Sequence, residues 1–384
     1  MIGLLLVTSV PFATIAFRGK AMLSNIPTMS ERITSADVWR PMQVPKDASI
    51  TPTQAGVAFR TLTSSRPATN FPMQDVEHRA ERPWRSSALT PDMFPTMRSA
   101  MFTGPSPDKV VRASRAGFTV KELAYLREIS SASVWDAYDV VARAPQVDLL
   151  GARFVLPFRD NAFAPSMPSP SFGDTKELAY AGVSRAAYYL ATGQRERAES
   201  ALRSIVSFGF AFIDNGTSSL DALVGRVIVG IGYDGLRQFF EVTGDPRSAT
   251  LAAPPALGTF AAKRTPATIE RLLSDANNPQ MPRALRFESL GLLSYSSCST
   301  VNGALNGPSA EIRNAFAAAR TNLVRTPAEA LYLDMLYYAT NRVPDNFAHA
   351  FGVDQLILGA SDVAGTLLHH PRLASCTRFV TAMR

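Results

Sequence analysis

The chain has 384 residues, 46% hydrophobic and 18% charged, a globular composition long enough for one large core or two ordinary ones. Its formal net charge is +7, and the excess sits at one end: residues 1–115 hold 14 Lys/Arg against 8 Asp/Glu, leaving the rest close to neutral. Those basic residues stand singly among prolines, with no block of like charge and no nucleic-acid-binding module, so an anionic lipid surface or an acidic protein face is the expected partner and nucleic acid is not.

The chain opens with Ile2 to Phe17, uncharged and apolar apart from Thr8, Ser9, Pro11 and Thr14. Extension to Leu23 brings this stretch to spanning length, with Arg18 and Lys20 able to snorkel. It starts Met-Ile-Gly rather than with a basic segment, and no small-x-small cleavage site follows, which favours an uncleaved membrane helix over residues 1–23. A cleaved signal and an interfacial helix are the alternatives. Arg18 and Lys20 would keep the body in the cytoplasm. Cys298 and Cys376 argue the other way: a lone pair without metal spacing fits one structural disulfide in an oxidising compartment, so the body is expected on the periplasmic side. Two unrelated buried thiols are the bland alternative.

Residues 24–115 are expected to form an extended, basic arm. Ten prolines lie between Pro41 and Pro107, a spacing that forbids long helices. Interleaved apolar side chains make a solvated tail a poor description. Phe71, Trp84, Phe94, Met97, Met101 and Phe102 are the candidate partner-binding residues, with Arg79, Arg82 and Arg85 placed to pair with acidic groups.

From about Phe118 the apolar spacing becomes helical, and residues 116–384 are expected to form an all-α domain. Stripes at Leu123, Tyr125, Leu126, Ile129 and at Val134, Trp135, Tyr138, Val141 begin it. A Pro-rich break at 165–170 follows. The segment Thr175 to Ile213 reads as two helices joined at Thr192-Gly193, and later helices are expected at 220–242, 266–276, 282–296, 309–324, 327–339, 346–368 and 371–383. Pro266, Pro282, Pro327 and Pro371 stand where helix starts prefer proline. Tyr189, Gly193, Ala198 and Leu202 fall at the aromatic, turn, small and large apolar positions of a tetratricopeptide repeat, and this pair resembles one such hairpin. Gly182 and Arg185 stand in place of the consensus start and Phe210 in place of the closing proline. No second copy follows at that period, so the resemblance implies a single repeat-like pair.

The chemical motifs are weak. Gly230-Ile-Gly232-Tyr-Asp-Gly235 matches a dinucleotide-binding fingerprint, but apolar residues keep helical spacing straight through it, and Gly225 and Gly232 would share a face that lets another helix come close. Ser106-Pro-Asp-Lys109 has the spacing of a penicillin-recognising enzyme, but flanking prolines crowd it into a turn. His78, His349, His369 and His370 show no zinc spacing. Asn215-Gly-Thr217 is a formal glycosylation sequon that reads as an inter-helix turn. No catalytic residue, cofactor or metal ligand is expected. The organisation favours a non-catalytic, membrane-anchored accessory or scaffold subunit of a larger membrane complex, photosynthetic or respiratory assemblies being natural hosts. Its expected partners are the other subunits and membrane lipid. The alternative is a periplasmic helical protein that binds a ligand or peptide.

Overall fold

The computed structural model describes residues 26–63, 71–76, 78–80, 117–159, 167–251, 268–298 and 308–338, with Val111 and Ser114. Among them the fold is all helical, as the periodicity predicts. No helix among the described residues is long and apolar enough to cross a membrane. The apolar segment 1–23 and the last two expected helices lie outside the described residues.

The extended arm expected from residue 24 does not hold for its first part. α1 (Ile26–Thr34), a 3-10 turn (Asp37–Met42) and α2 (Pro52–Leu62) are helical, and Ile33, Trp39, Phe59 and Leu62 are buried in the main core. Proline excludes itself only from helix interiors. Pro52 occupies the first turn behind Thr51, which forms a capping box with Gln54, a place where no backbone donor is missed. Pro41 falls in the short 3-10 turn instead of breaking a long helix.

α3 (Val120–Ser130) and α4 (Val134–Arg143) follow the two stripes seen in the sequence. α5 (Phe172–Ala191) and α6 (Arg195–Asn215) are joined by a turn whose Gly193 has φ +76°, the left-handed conformation that a glycine adopts without strain. From Ala201 to Ile213 on α6 only Arg203 escapes burial. A helix that is apolar all round belongs in the middle of a protein, and α6 packs against α4, α5, the 3-10 turn and two later helices, Ser219–Thr243 and Arg283–Cys298. Phe59 of α2 meets Phe212 edge-on at 5.3 Å, and Tyr138 of α4 stacks on Phe208 at 4.2 Å.

α7 (Ser219–Thr243) runs unbroken through Gly230, Gly232 and Gly235. Its glycines serve packing. A Cβ at Gly225 would lie 2.5 Å from Gly209 O on α6, and one at Gly232 would lie 2.8 Å from Val206 N. The two backbones touch where side chains would otherwise hold them apart. At its far end α7 is tied back to the first turn of α6. Arg247 donates to both Glu199 oxygens at 2.9 and 3.0 Å and to both Asp245 oxygens at 3.0 and 2.9 Å.

The remaining described helices are α8 (Ile269–Asn277), α9 (Arg283–Cys298), α10 (Ala310–Asn322) and α11 (Pro327–Tyr338). α9 links this second group to α6 and α7.

Two expected outcomes follow from the α6–α7 contact. Gly225→Ala forces the backbones apart and should lower unfolding free energy by about 1–3 kcal/mol. Gly230→Ala in the same helix meets only the end of the Arg226 side chain at 3.3 Å, and should be neutral or raise stability by up to about 1 kcal/mol through helix propensity. Urea denaturation of both variants checks the pair. The Asp245 carboxyl is held down to about 2 from 3.8 by its hydrogen bonds from Arg247. Its folded pKa is depressed, so its contribution is full above the unfolded value and is lost as pH falls through about 2. Arg247→Ala should therefore flatten the fall of stability between about pH 4 and 2, measured by thermal melts across that range.

Candidate functional site

The sequence-level candidates divide into those the fold spends on packing and those outside the described residues. Phe71 is fully buried, 5.7 Å from the Phe154 ring and 5.6 Å from Phe158. It is consumed inside the chain and is not offered to a partner. The chain around it clips onto the body: Met73 bridges Phe154, Gln74 N donates to Arg153 O at 2.9 Å, and Val155 N donates to Pro72 O at 2.8 Å. Arg79 is exposed. Trp84, Phe94, Met97, Met101, Phe102, Arg82 and Arg85 lie outside the described residues. So do Cys376 and the Cys298 side chain, so the expected disulfide does too. Ser106 and Lys109 fall there as well.

The glycine fingerprint has no phosphate-binding turn, being the middle of α7. The sequon is closed in this fold. Asn215 Nδ2 donates to Ala211 O at 2.9 Å, its Oδ1 accepts from Val147 N at 3.3 Å, and the residue is buried. Among the described residues no group of three His, Cys, Asp or Glu side chains is placed to hold a metal ion. Several tyrosines sit in the core with their phenols pushed up by burial; that of Tyr125 reaches about 12. A phenol so displaced keeps its proton near neutral pH and makes a poor base.

The arrangement with chemical potential is a cleft of about 450 Å³ where helix ends converge. Thr34 ends α1, Asp214 belongs to the last turn of α6, and Asn322 ends α10. Pro145 follows α4, and Pro279 follows α8. All five are C-terminal ends, whose free carbonyls carry partial negative charge. Four arginines, Arg40, Arg283, Arg286 and Arg325, line the same cleft with Asp37 and Asp214.

Two of these arginines are committed. Arg40 grips Asp214 with both Nη groups at 2.8 Å and reaches Asp37 through Nε at 2.7 Å. The hydrogen bonds that Arg40 donates to Asp214, against the pull of burial, raise the Arg40 pKa. Arg283 is buried. It donates to Leu323 O from Nε and Nη2, at 3.2 and 3.0 Å, and to Asn215 O from Nη1 at 3.3 Å, and it pairs with buried Glu329. Burial lowers its pKa and Glu329 partly restores it. One guanidinium thus caps the ends of α6 and α10 together.

The other two arginines are less spent. Arg286 gives Nε to Ala276 O on α8 at 3.0 Å, and its Nη groups have no partner among the described residues. Burial alone lowers its pKa. Arg325 gives Nη1 to Asp214 O at 3.3 Å and forms no ion pair among the described residues.

None of these four arginines was singled out by motif, and they come from three distant stretches of chain. One signal does exist. Arg283 and Arg286 occupy the first turn of α9, where positive charge opposes the helix's own dipole. Arginines placed against their own helix are recruited for something outside it.

No family model, no curated protein and no solved structure matches the chain.

The buried pair sets an expected outcome. Arg283→Met strands Glu329 and two helix-end carbonyls and should cost about 3–5 kcal/mol of stability. Arg40→Met removes a half-exposed pair, with side chains 40% and 36% exposed, and should cost about 1 kcal/mol or less. Chemical denaturation of the two variants side by side gives the comparison.

Proposed function

We propose that the protein is a non-catalytic accessory or scaffold subunit of a larger membrane assembly, tethered through residues 1–23 and working through the segment between residue 80 and Val111. The observation that supports this most is the clip formed by residues 71–76. Phe71 is buried and its neighbours bridge to Phe154, so the chain is fixed on the body just before that segment. It is fixed again just after it, where Val111 is 1% exposed. Between these two points run Trp84, Phe94, Met97, Met101 and Phe102, with Arg82 and Arg85. Large apolar side chains with arginines among them are the usual anchors of protein interfaces.

The body supports the reading in a second way. Its buried charges are engaged in structure: Arg283 with Glu329 and helix-end carbonyls, and Asp221 in the capping box that starts α7. In this reading the α5–α6 pair is one tetratricopeptide-like hairpin built into the core, and the body is a rigid platform on the periplasmic face of the membrane.

The test is a deletion that spares the core. Removing residues 41–115 would take out Phe59 and Leu62, so it tests folding instead of partnership. Removing 81–110 and rejoining the ends with a short Gly/Ser linker leaves both fixed points in place. The expected result is unchanged helical circular dichroism and melting temperature, with loss of co-migration with a larger assembly after extraction in mild detergent. A variant that still assembles, or a full-length chain that runs alone in detergent, overturns the proposal.

A further inference from the structure

We propose that the cleft among the helix C-termini is a binding site for a small polar oxyanion, a carboxylate or a phosphate ester, held by Arg286 and Arg325. This inference is independent of the scaffold reading. It rests on how the cleft divides its charge.

Arg40 and Arg283 line the cleft with all three guanidinium nitrogens of each already engaged. Arg40 spends both Nη groups and Nε on Asp214 and Asp37, and Arg283 spends all three nitrogens on Leu323 O and Asn215 O. Between them they offset two of the three carboxylates, Asp214 and Glu329, and Arg283 also donates to the carbonyl ends of α6 and α10. Arg286 and Arg325 are held differently. Each is fixed by one backbone carbonyl, Ala276 O at 3.0 Å and Asp214 O at 3.3 Å. Neither forms an ion pair among the described residues. Arg286 is partly withdrawn from water, which lowers its pKa, and Arg325 is exposed. The helix ends therefore position two guanidinium forks without filling them.

A guanidinium presents paired donors whose spacing matches the two oxygens of a carboxylate or phosphate. Gln280, Asn322 and Thr34 add neutral polar groups to the same lining. A volume of about 450 Å³ suits a small molecule and is too small for a folded partner. The lining is mostly polar, so the ligand is a polar anion of few carbons, not a lipid tail or an aromatic drug-like compound.

The experiment uses the full chain in detergent and isothermal calorimetry at constant ionic strength, with three probes: succinate, inorganic phosphate and glycerol 3-phosphate. The expected result is saturable 1:1 binding of at least one probe, weakened about tenfold or more by Arg286→Gln or Arg325→Gln. Arg127→Gln, on an exposed face of α3 away from the cleft, should leave binding unchanged. Succinate binding alone identifies a carboxylate site, and phosphate or its ester alone a phosphate site. Arg325→Gln loses one backbone hydrogen bond at the surface, so it remains informative if the Arg286 variant does not fold. Absence of saturable binding by all three probes overturns the inference. Binding that survives both cleft substitutions, or that falls equally in Arg127→Gln, overturns it as well.

Discussion

The contact of α6 with α7 is the constraint on which the rest of the structure depends. Gly209, Gly225 and Gly232 remove the side chains that would separate the two helices, and backbone atoms come into contact. The close approach leaves the other faces of α6 free to receive neighbours on every side. Phe208 and Phe212 turn towards α2 and α4, Ile205 meets Gly182 of α5, and Ser207 Oγ accepts from Val44 N beside the 3-10 turn. A wider α6–α7 spacing would shift these partners, because each of them is packed against α6.

The same packing creates an electrostatic problem that the arginines solve. Helices gathered around one central element bring several C-terminal ends to one place, and the partial negative charges there repel. Arg283 bridges two of those ends from a helix for which its own position is unfavourable, and Arg40 neutralises the Asp214 carboxylate beside them. Around this one cleft, Arg40 and Arg283 meet the structural need for positive charge, while Arg286 and Arg325 are each held by a single helix-end carbonyl.

Much of the helical body was legible in the sequence, for identifiable reasons. Apolar spacing carried through Gly230, Gly232 and Gly235 because a helix has one period and a strand-turn-helix has two. Gly193 marked the α5–α6 turn because a helix that stops before another begins often needs one left-handed residue. Pro327 marked the start of α11 because its ring is tolerated there. The start of the expected arm, residues 26–62, was misread because the position of a proline decides more than the density of prolines. Thr51-Pro52 followed by Gln54 is a helix start with its cap, and the buried Trp39 lies in the turn that Pro41 permits. The cleft was not legible at all. Its arginines come from three separate stretches of chain, and only the wrong-signed charges at the start of α9 pointed towards it.

A seam made of backbone against backbone has mechanical consequences. Side chains at ordinary helix interfaces change rotamer and let helices slide; glycines have no rotamers, so the α6–α7 seam has little compliance. Thr34, Arg40 and Asp214 stand on helices seated against that seam. Gln280, Arg286, Asn322 and Arg325 stand on the group of α8 to α11, which meets α6 and α7 through α9 and reaches α6 again where Arg325 donates to Asp214 O. The cleft therefore has one side on the seam and the other on the second helical group, and Arg283, which donates to Asn215 O of α6 and to Leu323 O at the end of α10, ties the two sides together.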